Sequence, residues 1–217
     1  MKNDVWQSMK ETIQELFGNR HIPFLYEKRD GEIIITGYKD SLLPKMEIPS
    51  MLHGKPIVKI DTRAFHGCTF LEEVHILDGV KIIAPNAFSA CERLSKIYIA
   101  GSVDKIGRNA FFECENLFCA ELESGIREIE NRAFFGCTGL RDIDLPDSIE
   151  KIGAQAFCGC NKLKSIHIPL SLTELPRSAF DGCTALDAIF VERDSPAARI
   201  LADSEHYAKK LRFIPRI

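Results

Sequence analysis

Eight cysteines and six histidines are the side chains of this 217-residue chain best suited to nucleophilic, redox or metal chemistry. Six of the cysteines, Cys68, Cys91, Cys114, Cys137, Cys160 and Cys183, recur at a constant interval of 23 residues. An interval that long and that regular marks a structural period, because zinc-binding pairs stand about two to four residues apart. Cys158-Gly159-Cys160 is a close pair, but Cys160 belongs to the periodic series. Cys158 fills a slot held in the other units by His66, Ser89, Phe112, Phe135 and Asp181. No second cysteine or histidine pair stands at ligand spacing beside it, so no metal is expected. The histidines are His21, His53, His66, His75, His167 and His206, and none joins a serine or cysteine in a nucleophile arrangement. The glycines fall at corners and form no phosphate-cradling loop. The chain is therefore expected to be no enzyme and to carry no cofactor.

The elements that must place these residues follow from the same period. Ala-Phe-x-x-Cys occurs at Ala64-Phe65-Cys68, Ala87-Phe88-Cys91, Ala110-Phe111-Cys114, Ala133-Phe134-Cys137, Ala156-Phe157-Cys160 and Ala179-Phe180-Cys183. A leucine follows three residues after each cysteine, at Leu71, Leu94, Leu117, Leu140, Leu163 and Leu186. Alternating aliphatics come next, as in Val74-His75-Ile76 and Ile166-His167-Ile168, the pattern of a short strand with one buried face. Ala, Phe, Cys and Leu fall on a helical stripe, which predicts a helical turn over the Ala-Phe segment. Gly107 and Gly153 mark corners, and Pro146 and Pro169 close strands, since proline cannot donate to a continuing ladder. One such coil cannot bury its apolar side alone, so the coils must stack, strand on strand, with the phenylalanines in a column behind.

Ile106-Gly107-x-x-Ala110-Phe111-x-x-Cys114-x-x-Leu117 and Ile166-x-Ile168-Pro169-x-Ser171-Leu172 resemble the BspA-like class of bacterial leucine-rich repeats. The resemblance implies a curved right-handed solenoid with a parallel sheet on the concave side. It also implies adhesion and protein–protein contacts, often at the cell surface or after secretion, and it supplies no catalytic residues.

The fold expected is thus a repeat solenoid in three parts. Residues 60–191 hold six repeats, residues 1–59 an N-terminal cap and residues 192–217 a C-terminal cap. In the first cap Val5, Trp6, Met9, Ile13, Leu16 and Phe17 lie on one helical face, Arg29-Asp30-Gly31 is a hairpin turn, and residues 39–59 form a divergent zeroth coil. In the last cap Ser195-Pro196 starts a helix to about Lys210, followed by a strand near Leu211–Ile214.

Within such a stack six cysteines act as small buried hydrophobes. Disulfides between coils remain open, because strands about 4.8 Å apart come near bridging range. The N-terminus lacks the apolar core of an export signal, so a cytoplasmic chain with reduced thiols is expected. Surface exposure or secretion is the family's alternative should the sequence be a trimmed piece. A net charge of −3 offers no basic field for nucleic acid, and no apolar run reaches the roughly 18 residues of a membrane span.

Outward strand positions are left free to serve binding. One column runs Glu47, His75, Tyr98, Glu121, Asp144, His167, Phe190, and its neighbour Glu73, Lys96, Cys119, Asp142, Ser165, Ala188. The candidate binding face consists of Glu73, His75, Lys96, Tyr98, Glu121, Asp142, Asp144, His167 and Phe190. Tyr98 and Phe190 are aromatics of the type enriched at hot spots, and Glu121, Asp142 and Asp144 make its middle acidic. A monomeric module binding a protein partner through this face is the expectation. The alternatives are a self-associating structural element and glycan binding by stacking on Tyr98 and Phe190.

Overall fold

A computed structural model describes residues 23–39 and 43–215; the helix expected over Val5–Phe17 lies outside the described residues. The chain enters as a hairpin of β1 (Phe24–Arg29) and β2 (Glu32–Tyr38). Asp30 and Gly31 take positive φ, 49° and 85°, as a two-residue turn between right-twisted strands requires. Three strands follow, β3 (Lys45–Ile48), β4 (Met51–Leu52) and β5 (Lys55–Ile60). The next four units each give two strands, the first of four residues in three of them and of two in the fourth, the second always of two. These are β6 (Glu73–Ile76), β7 (Ile82–Ile83), β8 (Lys96–Ile99), β9 (Lys105–Ile106), β10 (Cys119–Leu122) and β11 (Glu128–Ile129). They continue as β12 (Asp142–Ile143), β13 (Lys151–Ile152) and β14 (Ser165–His167), and β15 (Ala188–Glu192) and β16 (Leu211–Ile214) complete the set.

Two parallel sheets result. In the first, β3, β6, β8, β10 and β12 stack in register, and a bridge between Asp144 and His167 carries the face on to β14, β15 and β16. In the second, β5, β7, β9, β11 and β13 stack with β2 and then β1 outermost. The repeat pattern pointed to the first sheet alone. Ile83, Ile106, Ile129 and Ile152 look like isolated packing residues in the sequence, yet each is the buried half of a two-residue strand.

The expected helical turn is corrected as well. Over Ala64–Cys68 and its equivalents the chain makes tight turns, with Arg63, Asn86, Asn109, Arg132 and Gln155 at φ between 56° and 59°. The reason lies in where the amides go. Phe65 N–H donates to Ala87 O at 2.7 Å and Phe111 N–H to Ala133 O at 2.7 Å, in the next coil. Donors spent between coils cannot close i→i−4 rings. Only the sixth unit, with Pro176 before it, makes a 3-10 helix, Arg177–Phe180.

These turns deliver the core. Phe65, Phe88, Phe111, Phe134, Phe157 and Phe180 are fully buried, with successive ring centroids 4.9–5.7 Å apart and nearly parallel planes. Tyr38 stacks on Phe65 at one end, and Tyr207 meets Phe180 edge-on at the other. At the corners a Cβ on Gly107 would lie 2.6 Å from Ile83 O, and one on Gly153 would lie 2.3 Å from Asn131 N. Backbone of the adjoining coil therefore excludes any side chain there.

At the C-terminal end Ser195 accepts a hydrogen bond from Ala198 N at 3.1 Å, with Pro196 opening helix α1 (Pro196–Ala202). The single helix expected here is two, because the chain breaks at Asp203-Ser204 before α2 (Glu205–Ala208). The last strand, β16, lies parallel to β15.

Candidate functional site

Strand pairing brings the two outward columns into register. His75 aligns with Glu47 and Tyr98, and Tyr98 with Glu121. Asp144 bridges to His167, which aligns with Phe190, and Phe190 with Arg212. Beside them Glu73 aligns with Lys96, Lys96 with Cys119, and Cys119 with Asp142. Glu121, Asp142, Asp144, His167 and Phe190 are exposed, whereas Glu73, Lys96 and Tyr98 are half-buried.

His75 departs from the expectation of an open outward position, being only 8% exposed. Its ring lies 4.2 Å from that of Tyr98, and Nε2 is 2.7 Å from Glu73 Oε1. Glu73 also meets Lys45 Nζ at 3.0 Å. Partial burial raises the Glu73 pKa, but the contacts to His75 and Lys45 outweigh it and hold the carboxyl below its ordinary range. Burial and then the Glu121 charge raise the Tyr98 phenol. This end of the face is a cluster of packed, hydrogen-bonded and ion-paired side chains.

Further along, Lys96 Nζ sits 5.8 Å from the ring centroid of Phe118, a cation–π geometry. Phe118 is 40% exposed, and it was not among the residues read from sequence. It precedes its strand, outside the period-2 pattern, and a large aromatic in a loop slot filled elsewhere by Glu72, Ser95, Arg141 and Lys164 was the available signal. Asp142, Asp144 and Glu121 form no ion pair with any described residue, and Glu121 accepts a hydrogen bond from the Cys119 thiol at 3.9 Å.

The second sheet carries a different electrostatic pattern, also missed. Lys105, Glu128, Lys151 and Glu174 alternate in sign at 23-residue intervals. Lys105 Nζ reaches Glu128 at 3.0 Å and Glu130 at 2.5 Å, and Lys151 reaches Glu174 at 3.0 Å and Glu128 at 3.8 Å. Alongside, Arg127 lies between Asp104 and Glu150, at 3.6 and 3.8 Å. The carboxylates of this face are thus matched within it.

All eight cysteines are free thiols. Each of Cys91, Cys114, Cys137, Cys160 and Cys183 donates from Sγ to the carbonyl of the phenylalanine 26 residues earlier, at 3.0–3.4 Å. The carbonyls of Phe65, Phe111, Phe134 and Phe157 also accept an amide from the cysteine of their own coil, as in Cys114 N to Phe111 O at 3.2 Å. Burial pushes the Cys137 thiol well above its usual range, which keeps it protonated and inert. Among the described residues no group of three or more His, Cys, Asp or Glu side chains is placed to hold a metal ion. His75 and His167 stand four coils apart along one column, about 19 Å at the sheet spacing, too far to share a ligand. No helix among the described residues is long and apolar enough to cross a membrane.

Comparison with known proteins settles the family. A profile of the BspA type leucine rich repeat region matches residues 58–187, in six copies. The chain belongs to the BspA-type leucine-rich repeat family. Among solved structures it is similar to a leucine-rich repeat protein of T. pallidum, at 30% identity over 78% of this chain and 69% of that one, with a TM-score of 0.57. A leucine-rich repeat protein from Bacteroides ovatus shares 29% identity over 82% of this chain, with a TM-score of 0.71. A leucine-rich cell surface protein from Faecalibacterium prausnitzii shares 34% over 76%, with a TM-score of 0.55. The chain spans 48% and 37% of the length of these last two. No curated protein matches it. Like other BspA-type repeats the chain is an interaction or structural module, and the family is generally non-catalytic.

Proposed function

We propose that this BspA-type solenoid is a non-catalytic module that binds a protein partner through the face of its first sheet. The observation that carries the proposal is the contrast between its two faces. On the second sheet lysine, arginine and carboxylate side chains neutralise one another along the stack. On the first, Glu121, Asp142 and Asp144 stand exposed on adjoining strands without an ionic partner among the described residues. The aromatic rings of Tyr98 and Phe118 lie on the same face, the first held by His75. A preorganised surface of this kind favours a partner that presents basic side chains, because unpaired carboxylates steer and orient a complementary charge.

The test uses short peptides rich in Lys and Arg, their binding followed by fluorescence anisotropy. Tyr98→Ala with Asp144→Ala should weaken binding by about tenfold in a chain that stays folded, its melting temperature lowered only by loss of the ring packed on His75. Lys105→Ala with Lys151→Ala, on the other sheet, should leave binding intact. Equal binding by the wild type and the Tyr98/Asp144 variant would refute the proposal.

A further inference from the structure

The last strand of the first face, β16, has no partner on its outer edge among the described residues. Ile189 N donates to Lys210 O at 2.8 Å, and Arg212 aligns with Phe190. In a parallel ladder this register turns the Arg212 amide and carbonyl toward β15, so Leu211 and Phe213 direct theirs outward. Inward, Leu211 and Phe213 align with Ile189 and Val191 and so prolong two core columns. At the other end of the stack β3 heads the same two columns with Met46 and Ile48. Strand addition of β3 from a second copy onto β16 would continue both columns, and such head-to-tail contacts propagate into open-ended chains.

Three side chains stand against that addition. Arg212 Nη1 donates to Leu211 O and to Lys209 O, each at 3.1 Å, and so occupies an outward carbonyl of the edge. The Arg193 guanidinium lies 4.7 Å from the ring centroid of Phe213, covering a side chain that is 46% exposed. Pro215 holds the next outward-facing position and has no N–H to give. We propose that Arg212, Arg193 and Pro215 form a guard that closes the C-terminal edge of the solenoid to a second copy of the chain.

The experiment is light scattering of the full chain over a concentration series, paired with amide hydrogen exchange. Wild-type chain should keep the mass of one copy throughout. Arg193→Ala with Arg212→Ala should gain mass in whole copies as concentration rises, at least about twofold, with new amide protection at Leu211 and Phe213. Arg212→Lys should stay close to wild type. Should the double variant lose its wild-type circular dichroism, Arg212→Ala alone decides, since among the described residues that side chain donates to backbone oxygens only. The proposal is overturned if the folded variant keeps one-copy mass at every concentration. It is equally overturned if association leaves Leu211 and Phe213 unprotected, or if wild-type chain already assembles through this edge.

Discussion

At the scale of single residues, the buried phenylalanine and cysteine columns do one job through two kinds of contact. The ring of Phe111 is stacked on both sides, by Phe88 and Phe134, and its carbonyl takes both an amide and a thiol. Phe111→Ala should therefore cost about 3–5 kcal/mol, read from the denaturant midpoint. The ring's burial was legible in the 23-residue spacing; the thiol as a donor was not, because spacing says who stacks and not which lone pair is left over. His75 shows the same limit. Alternation sets the direction of its side chain correctly, yet Tyr98 and Glu73 close over it, and cross-strand neighbours cannot be read from one strand. Glu73 adds a pH effect. Its carboxyl is held below its ordinary range, so the folded state favours the charged form, and this stabilisation is complete above the ordinary carboxylate range. It is lost as pH falls through the depressed value. Glu73→Gln should flatten that part of the acid limb in a series of melting temperatures against pH. An unchanged limb would mean that His75 and Lys45 do not hold the carboxylate.

At the scale of elements, the strands of the first sheet were legible because most run for three to five residues with a period of two. In the second sheet the β1–β2 hairpin was legible, but the repeat strands were not, since two residues define no period and those strands exist only by pairing with the coils on either side. The turns failed in the opposite sense. An apolar stripe at helical spacing is real there, but Phe N–H groups pair between coils, and only alternate amides close i→i−3 turns within a coil. The alternating charges on the second sheet tie these short strands together. Exposed pairs contribute little singly, so Lys151→Met should lower the melting temperature only slightly. That difference should shrink in high salt, as screening removes the pairs at Glu128 and Glu174; a loss independent of salt would assign the effect to packing. In the C-terminal cap, Ser195→Ala should cost about 0.5–2 kcal/mol, appearing as faster amide exchange confined to α1.

At the scale of the whole molecule, a stack in which each coil touches only its neighbours behaves as a nearly one-dimensional array. Its two faces are left to differ, and they do. One carries ion pairs along its stack, and the other presents Glu121, Asp142 and Asp144 without an ionic partner among the described residues, beside aromatic rings. The sequence made the outward columns legible residue by residue, but it could not rank the faces, because the two-residue strands of the second sheet were invisible and Phe118 stood outside the strand pattern. The most direct test of the central claim, that the first face is the binding surface, is photo-crosslinking to short Lys- and Arg-rich peptides. A photoreactive residue is placed at Asp142 on the first face, and separately at Lys151 on the second. Adducts from position 142 with few or none from position 151 are the expected result. Adducts from position 151 alone, or equal yields from both, would contradict it.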